Sequence, residues 1–156
     1  FVFFSFSLQS QYLHQTMNLD FVYNTDFTLT NETETVQWIN AFCKSEGFSI
    51  DSLVFAFFND NKIKDLNIKF LNHDYFTDVI SFDESYDGFV KGNIAISIDR
   101  VKENANEFSC SFEDELRRVI IHGVLHFMGF KDNTEEEKKK IRAKENFAID
   151  MFHVKR

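Results

Sequence analysis

Two histidines four residues apart, followed by a glycine and an aspartate, constrain the fold of this chain more than any other feature. The residues are His122, His126, Gly129 and Asp132. On a helix, side chains four positions apart project from the same face about one turn apart, so two imidazoles can share one small cation. A glycine can adopt the left-handed conformation that reverses a chain after a helix. The pattern therefore predicts a helix that ends at Gly129 and a turn that brings Asp132 back towards both histidines.

The residues that precede the histidines predict a helix that is amphipathic at its start and buried further along. Ser111 and Asp114 can form a capping box at its beginning. Two neutral imidazoles and one carboxylate suit Zn²⁺, and three protein ligands leave a fourth position for water, as in catalytic zinc sites. The sequence predicts one Zn²⁺ ion, and the residues that bind it and act in catalysis through it are His122, His126 and Asp132.

The same spacing occurs in the metzincin metalloproteases, whose motif ends in a third histidine. In those enzymes the residue after the first histidine is the glutamate that serves as general base. Gly123 occupies this position and has no side chain that could accept a proton. A metzincin-like protease stays an alternative function, and proteolysis of casein that disappears in a His126→Ala variant would favour it.

The stretch also resembles the signature of the YbeY endoribonucleases, which are described as ribosomal RNA maturation factors. That signature is His-Gly-x-Leu-His-Leu-x-Gly-Tyr-Asp-His. The chain matches it at His122, Gly123, Leu125, His126 and Gly129. Phe127 and Phe130 are conservative replacements, and Asp132 stands where the family has its third histidine. An aspartate is a competent zinc ligand, so the resemblance implies the same set of three ligands.

Other stretches extend the resemblance to about residues 18–150. Residues 66–71 resemble the family's Leu-Asn-x-x-Tyr-Arg, and residues 74–82 resemble its Asp-x-Pro-Thr-Asp-Val-Leu-Ser-Phe. Gly92-Asn93-Ile94 takes the place of Gly-Asp-Ile. The most important departure is Leu71, which occupies the position of a functional arginine in the family.

The resemblance implies a zinc-dependent endoribonuclease that cleaves single-stranded RNA. A bound Zn²⁺ can lower the pKa of a water molecule or polarise a phosphoryl oxygen. The implied substrate is precursor ribosomal RNA, especially the 3′ end of the small-subunit RNA. The implied partners are ribosomal proteins or the small ribosomal subunit, and a further role in ribosome quality control follows from the same resemblance.

Charge and the missing arginine both bear on RNA cleavage. The chain has a net charge of −8 and offers phosphate no global attraction, so RNA binding requires a local cationic or metal-centred cleft. A guanidinium would stabilise the charge that develops on the phosphoryl oxygens, and Leu71 lacks one. The cations that could replace it are Arg117, Arg118, Lys131 and Lys91. The alternative is a ribosome assembly factor that does not cleave RNA and whose metal is structural.

The remaining pattern predicts a single α+β domain with a mixed sheet of roughly four strands. Apolar runs predict strands at 19–23, 53–58, 79–82 and 93–98. One helix is expected from a cap at Thr30 or Asn31 to Gly47, and another begins near Asn59. The apolar stripe of that second helix would consist of Ile63, Leu66, Phe70 and Leu71. A last helix, capped by Thr134 and Glu137, would run through Phe147, and the metal site would lie on a central helix and the turn after it.

The domain is expected at residues 17–156, and residues 1–16 are expected to be a non-native or disordered extension before Met17. No apolar run is long enough to cross a bilayer, so no membrane association is expected. Cys43 and Cys110 form no disulfide or metal pattern, which favours a reducing cytoplasm and two small buried side chains.

Several further residues have a simple structural interpretation. Asp78 can cap or hydrogen-bond locally, although a direct catalytic role stays open. The three other histidines are expected at the surface: His14, His73 and His153. Residues 135–140 are three glutamates followed by three lysines, and they predict a solvated helix face with charge pairs along the helix.

Overall fold

The computed structural model describes residues 18–71 and 77–154, which form one mixed sheet with helices packed on it. The strands are β1 Leu19–Asn24, β2 Ser49–Phe58, β3 Val79–Asp83 and β4 Phe89–Ser97. The helices are α1 Glu32–Ser45, α2 Asp60–Leu71, α3 Ile98–Glu107, α4 Phe112–Phe127 and α5 Glu135–Val154. The expectations for residues 1–16, His14, His73 and the stretch 74–76 lie outside the described residues. The predicted α+β class is confirmed.

The sheet has the strand order β1-β2-β4-β3. β1 and β4 both run parallel to β2, whereas β3 runs antiparallel to β4 and forms one edge. Phe55 pairs with Phe21 on one side and with Ile94 on the other. The mixed sheet of four strands is therefore as the apolar runs predicted, and β2 is longer than predicted because it begins at Ser49.

The two faces of the sheet are covered by different helices. On one face, α1, α4 and α5 enclose a large core around Phe55, Phe57 and Ile94, all fully buried. Trp38 of α1 ties two of these helices together, because its Nε1 donates to the carbonyl oxygen of Ala148 in α5 at 2.7 Å. On the other face, Ile63 of α2 packs into a smaller cluster. The larger core is the one that positions the predicted metal residues.

Helix α4 lies very close to β4 because glycines occupy both contact points. A Cβ atom at residue 123 would lie 2.9 Å from Cδ1 of Ile94. A Cβ atom at residue 92 would overlap the carbonyl oxygen of Phe82 and lie 2.8 Å from the ring of Phe127. The two glycines thus allow the helix that carries both histidines to pack directly on the strand.

Three expectations from the sequence were wrong, and one helix was not predicted. The apolar stripe of α2 ends one residue earlier than predicted: Leu71 is 41% exposed, whereas Phe70 packs edge-on against the ring of Phe82 in β3 at a centroid distance of 6.0 Å. Helix α3 was not predicted at all. Cys43 is buried as expected, and burial raises the pKa of its thiol to about 12, but Cys110 is exposed. Asn31 does precede α1, but its side chain makes no capping hydrogen bond.

The other helix ends follow the predicted signals. The hydroxyl of Ser111 accepts from the backbone of Asp114 at the start of α4. Thr134 and Glu137 form a reciprocal capping box at the start of α5, with distances of 2.9 and 3.1 Å. Helix α5 continues past Phe147 to Val154, where His153 is exposed and contacts Asp114 at 2.8 Å. Within the described part of the chain, none of the helices has the length and apolar character needed to span a membrane.

The close contact at Gly92 leads to a prediction about stability. We expect Gly92→Ala to lower the free energy of unfolding by at least about 3 kcal/mol, because the added methyl meets backbone and a packed ring. Gly88→Ala is the matched control, since Gly88 also has a positive φ but nothing lies within 4 Å of its Cβ position. Its expected cost is about 1 kcal/mol, from backbone strain alone. Chemical denaturation of both variants measures the difference, and equal losses would contradict the packing described here.

Candidate metal centre

The end of α4 reverses the chain through a glycine in the left-handed conformation. Gly129 has φ +98°, and its N–H donates to the carbonyl oxygen of His126 at 3.0 Å. The N–H of Phe130 donates to the carbonyl oxygen of Leu125 at 3.0 Å, which completes a Schellman motif. The predicted helix stop is confirmed, and the reversed chain continues directly to Asp132.

The turn brings all three predicted ligands together. The two Nε2 atoms of His122 and His126 are 3.0 Å apart, and each lies 3.4 Å from Oδ2 of Asp132. Zinc bound to nitrogen or oxygen at about 2.0–2.1 Å in a tetrahedron requires ligand atoms about 3.3 Å apart. The three side chains are 28%, 31% and 41% exposed, so the group is open to solvent. These residues can hold one metal ion, and the donor set fits zinc.

Hydrogen bonds on the far side of each imidazole orient the two rings. Nδ1 of His122 lies 2.7 Å from Oε2 of Glu145, and Nδ1 of His126 lies 2.9 Å from the carbonyl oxygen of Phe130. Acceptors at both Nδ1 atoms favour the tautomer in which Nε2 carries the free lone pair. The hydrogen bond to Glu145 also outweighs burial and raises the pKa of His122.

Glu145 contacts a predicted metal ligand and was not among the residues that the sequence singled out. It is only 3% exposed, and its other oxygen, Oε1, accepts from Nη1 of Arg118 at 3.1 Å. Nε of Arg142 lies 3.7 Å from the same oxygen. The signal was present in the sequence, because Glu145 follows Ile141 by four residues and precedes Ala148 by three on the buried stripe of α5. A carboxylate at an apolar position of a helix indicates a specific partner.

Two more carboxylates lie near this centre without being among the ligands. Burial raises the pKa of Asp78, and the nearby His122 lowers it in part. Nδ2 of Asn104 in α3 donates to Asp78 at 3.3 Å. Burial also raises the pKa of Glu115, which is 3% exposed and lies 3.8 Å from Nε of Arg118. Asp78 is thus a hydrogen-bonded neighbour of the centre, and its catalytic role stays a prediction.

Comparison with known proteins identifies relatives over most of the chain. The sequence model of the family described as Endoribonuclease YbeY matches residues 20–153. An endoribonuclease YbeY of Flavobacterium psychrophilum is 43% identical over 137 residues, which cover 88% of this chain and 98% of that protein. One of Karelsulcia muelleri is 43% identical over 138 residues, covering 88% and 96%. A Thermotoga maritima protein with a known solution structure has a TM-score of 0.68 at 25% identity, covering 88% and 90%.

The buried hydrogen bond to His122 predicts that Glu145 contributes to metal affinity. We expect Glu145→Gln to weaken zinc binding about 10- to 100-fold, because the imidazole loses its charged acceptor and Arg118 loses its partner. Glu136→Gln, an exposed position on the same helix, is the matched control. Competition with a chromogenic chelator measures both affinities, and an unchanged affinity in Glu145→Gln would show that this contact does not orient a metal ligand.

Proposed function

The chain belongs to the YbeY endoribonuclease family, and from this premise we propose that it is a zinc-dependent endoribonuclease that cleaves single-stranded RNA. The observation that supports the proposal most directly is the convergence of three ligand atoms from His122, His126 and Asp132 within 3.4 Å of one another. The substrate that we propose is precursor ribosomal RNA, at the 3′ end of the small-subunit RNA. Ribosomal proteins, the small ribosomal subunit, ribosome quality control and a cytoplasmic location belong to the same proposal.

Each residue of the centre has a distinct task in this proposal. When bound, zinc supplies a Lewis acid that polarises a phosphoryl oxygen or lowers the pKa of water. His122 and His126 would bind it through Nε2, because both Nδ1 atoms are already engaged. Asp132 adds one negative charge and leaves the metal with a net positive charge towards phosphate. Glu145 and the Phe130 carbonyl oxygen hold the two rings in the orientation that would let both Nε2 atoms bind the same ion.

The contact at Gly123 favours this function over the alternative of a metzincin-like protease. Position 123 faces β4, where even a Cβ atom would lie 2.9 Å from Ile94. A Cβ atom there already requires the Ile94 side chain to move, so the longer side chain of a glutamate, the general base of a metzincin, would enter the packed interface between α4 and β4. The three ligands are arranged as in a metal-dependent hydrolase, but the position that carries the general base in a metzincin is a glycine packed against Ile94.

The assembly-factor alternative is supported by Leu71. This residue ends α2 and is 41% exposed, so the position of the family's arginine presents an apolar side chain. An assembly factor would bind RNA and retain the metal for stability without cleaving. Cleavage of precursor ribosomal RNA by the purified zinc-loaded protein distinguishes the two functions, because only the endoribonuclease produces shorter fragments.

Substitution of the third ligand gives a test of the proposal. We expect Asp132→Ala to reduce both zinc content and RNA cleavage at least about 100-fold, because two imidazoles alone bind zinc weakly. Asp132→His places at this position the ligand that the family carries there, and we expect it to retain metal and activity. Metal analysis and cleavage of a precursor ribosomal RNA fragment are measured side by side.

The controls separate loss of metal from loss of fold. Removal of zinc with a chelator from the wild type should abolish cleavage, and added zinc should restore it. Circular dichroism of Asp132→Ala should match that of the wild type, because Asp132 lies in an exposed turn. Full cleavage by Asp132→Ala with no bound metal would contradict the proposed function.

A further inference from the structure

The structure distinguishes among the four cations that could replace the missing arginine. Arg117 is engaged elsewhere, because Nη1 lies 2.8 Å from Asp114 and the guanidinium lies 3.8 Å from the ring centre of Phe152. Arg118 is committed to the buried Glu145. On β4, Lys91 alternates with buried residues that face α4, so it lies on the other face of the sheet. Lys131 is exposed and immediately precedes the metal-centre residue Asp132.

Lys131 lies in an open groove beside the metal centre. The groove has a volume of about 300 Å³, and its lining residues are Met128, Gly129, Phe130, Lys131, Glu137 and Lys140. It begins at the turn that ends α4 and is closed on its other side by α5. None of the three ligands lines the groove, but two of its residues adjoin the centre: the carbonyl oxygen of Phe130 accepts from Nδ1 of His126, and Lys131 directly precedes Asp132.

The groove combines an aromatic ring with available positive charge. Nζ of Lys140 lies 5.7 Å from the ring centre of Phe130. Within the described part of the chain, neither Lys131 nor Lys140 forms an ion pair with a carboxylate. The one carboxylate in the lining, Glu137, is occupied at the start of α5, where Oε1 accepts from the backbone of Asn133 and Thr134. Both lysines are therefore available to a ligand that carries negative charge.

We propose that this groove, here named the Lys131 groove, binds a nucleotide of single-stranded RNA that flanks the phosphodiester at the metal centre. Lys131 and Lys140 contact its backbone phosphates, and Phe130 supplies apolar surface for its base or sugar. This inference rests on the proposed endoribonuclease function and specifies how the chain holds its substrate. Lys131 in the turn after α4 and Lys140 on α5 would then provide the positive charge for phosphate that Leu71 lacks.

Charge favours RNA over other ligands for this groove. The protein carries −8 overall, so an acidic polymer is repelled from most of its surface and can be held only where lysines are concentrated. A single strand presents one phosphate per nucleotide together with bases that can lie against an aromatic side chain. The combination of two lysines, one aromatic ring and an adjacent metal centre fits that chemistry.

The double variant Lys131→Ala/Lys140→Ala tests the Lys131 groove. With a fluorescent single-stranded oligoribonucleotide and zinc-loaded protein, we expect the dissociation constant and KM to rise roughly ten-fold, with kcat changed less than about two-fold. The slope of log affinity against log salt should fall by about 0.7 for each lysine that contacts phosphate. Lys138→Ala/Lys139→Ala is the matched control, because it removes the same two positive charges from positions of α5 outside the groove.

The outcomes separate this inference from the proposed function. Unchanged affinity and salt dependence in the groove variant, or an equal loss in Lys138→Ala/Lys139→Ala, would contradict RNA binding in the Lys131 groove, while cleavage by the wild type would still support the endoribonuclease. If the wild type binds RNA without cleaving it and the groove variant loses that binding, RNA binding in the Lys131 groove is supported and the endoribonuclease function is contradicted. Zinc content should be equal in all variants, which excludes an effect through Asp132.

Discussion

The metal centre depends on a helix that packs closely on a strand, because a glycine provides the room for the partner's side chain at two points of contact. Gly123 contacts Ile94, and Gly92 accommodates Phe127, so the axis of α4 is fixed relative to β4. Gly123 and Phe127 face the strand, and His122 and His126, each one residue earlier on α4, lie about 100° around the helix from them, with both rings partly exposed. Because core packing does not deform gradually, the two imidazoles sit on a rigid base, and zinc binding would require little rearrangement.

Polar contacts behind the two imidazoles determine which ring nitrogen of each histidine carries the proton. Glu145 connects α5 to α4 through His122 and Arg118, and all three groups are charged or partly charged inside the protein. A buried carboxylate without partners would be costly, and here a histidine and an arginine satisfy it. The same contacts also fix the ring orientation and the tautomer of His122, which is the benefit of burying this carboxylate. The chain thus combines a net charge of −8 with a few basic side chains close to the metal centre, such as Arg118 and Lys131.

The sequence predicted the parts of the site that are local and missed the part that is tertiary. The spacing of His122, His126, Gly129 and Asp132 is a helix followed by a left-handed turn, and helix geometry alone brings these residues together. Glu145 lies on another helix, so the spacing of residues on α4 does not indicate its contact with His122. It also follows residues 135–140, which were interpreted as a solvated charged face. Helix α3 was missed because it buries few residues among many polar ones. Leu71 follows helical spacing but is exposed at the end of α2, whereas Phe70 still packs against Phe82 of the sheet.

X-ray absorption at the zinc edge of the metal-loaded protein measures the ligand set directly. The account predicts two imidazole nitrogens and oxygen donors at about 2.0–2.1 Å, with no sulfur neighbour. It also predicts one zinc per chain. A sulfur neighbour at about 2.3 Å, or a shell without imidazole scattering, would contradict it, because the ion would then be bound by residues other than those at the end of α4.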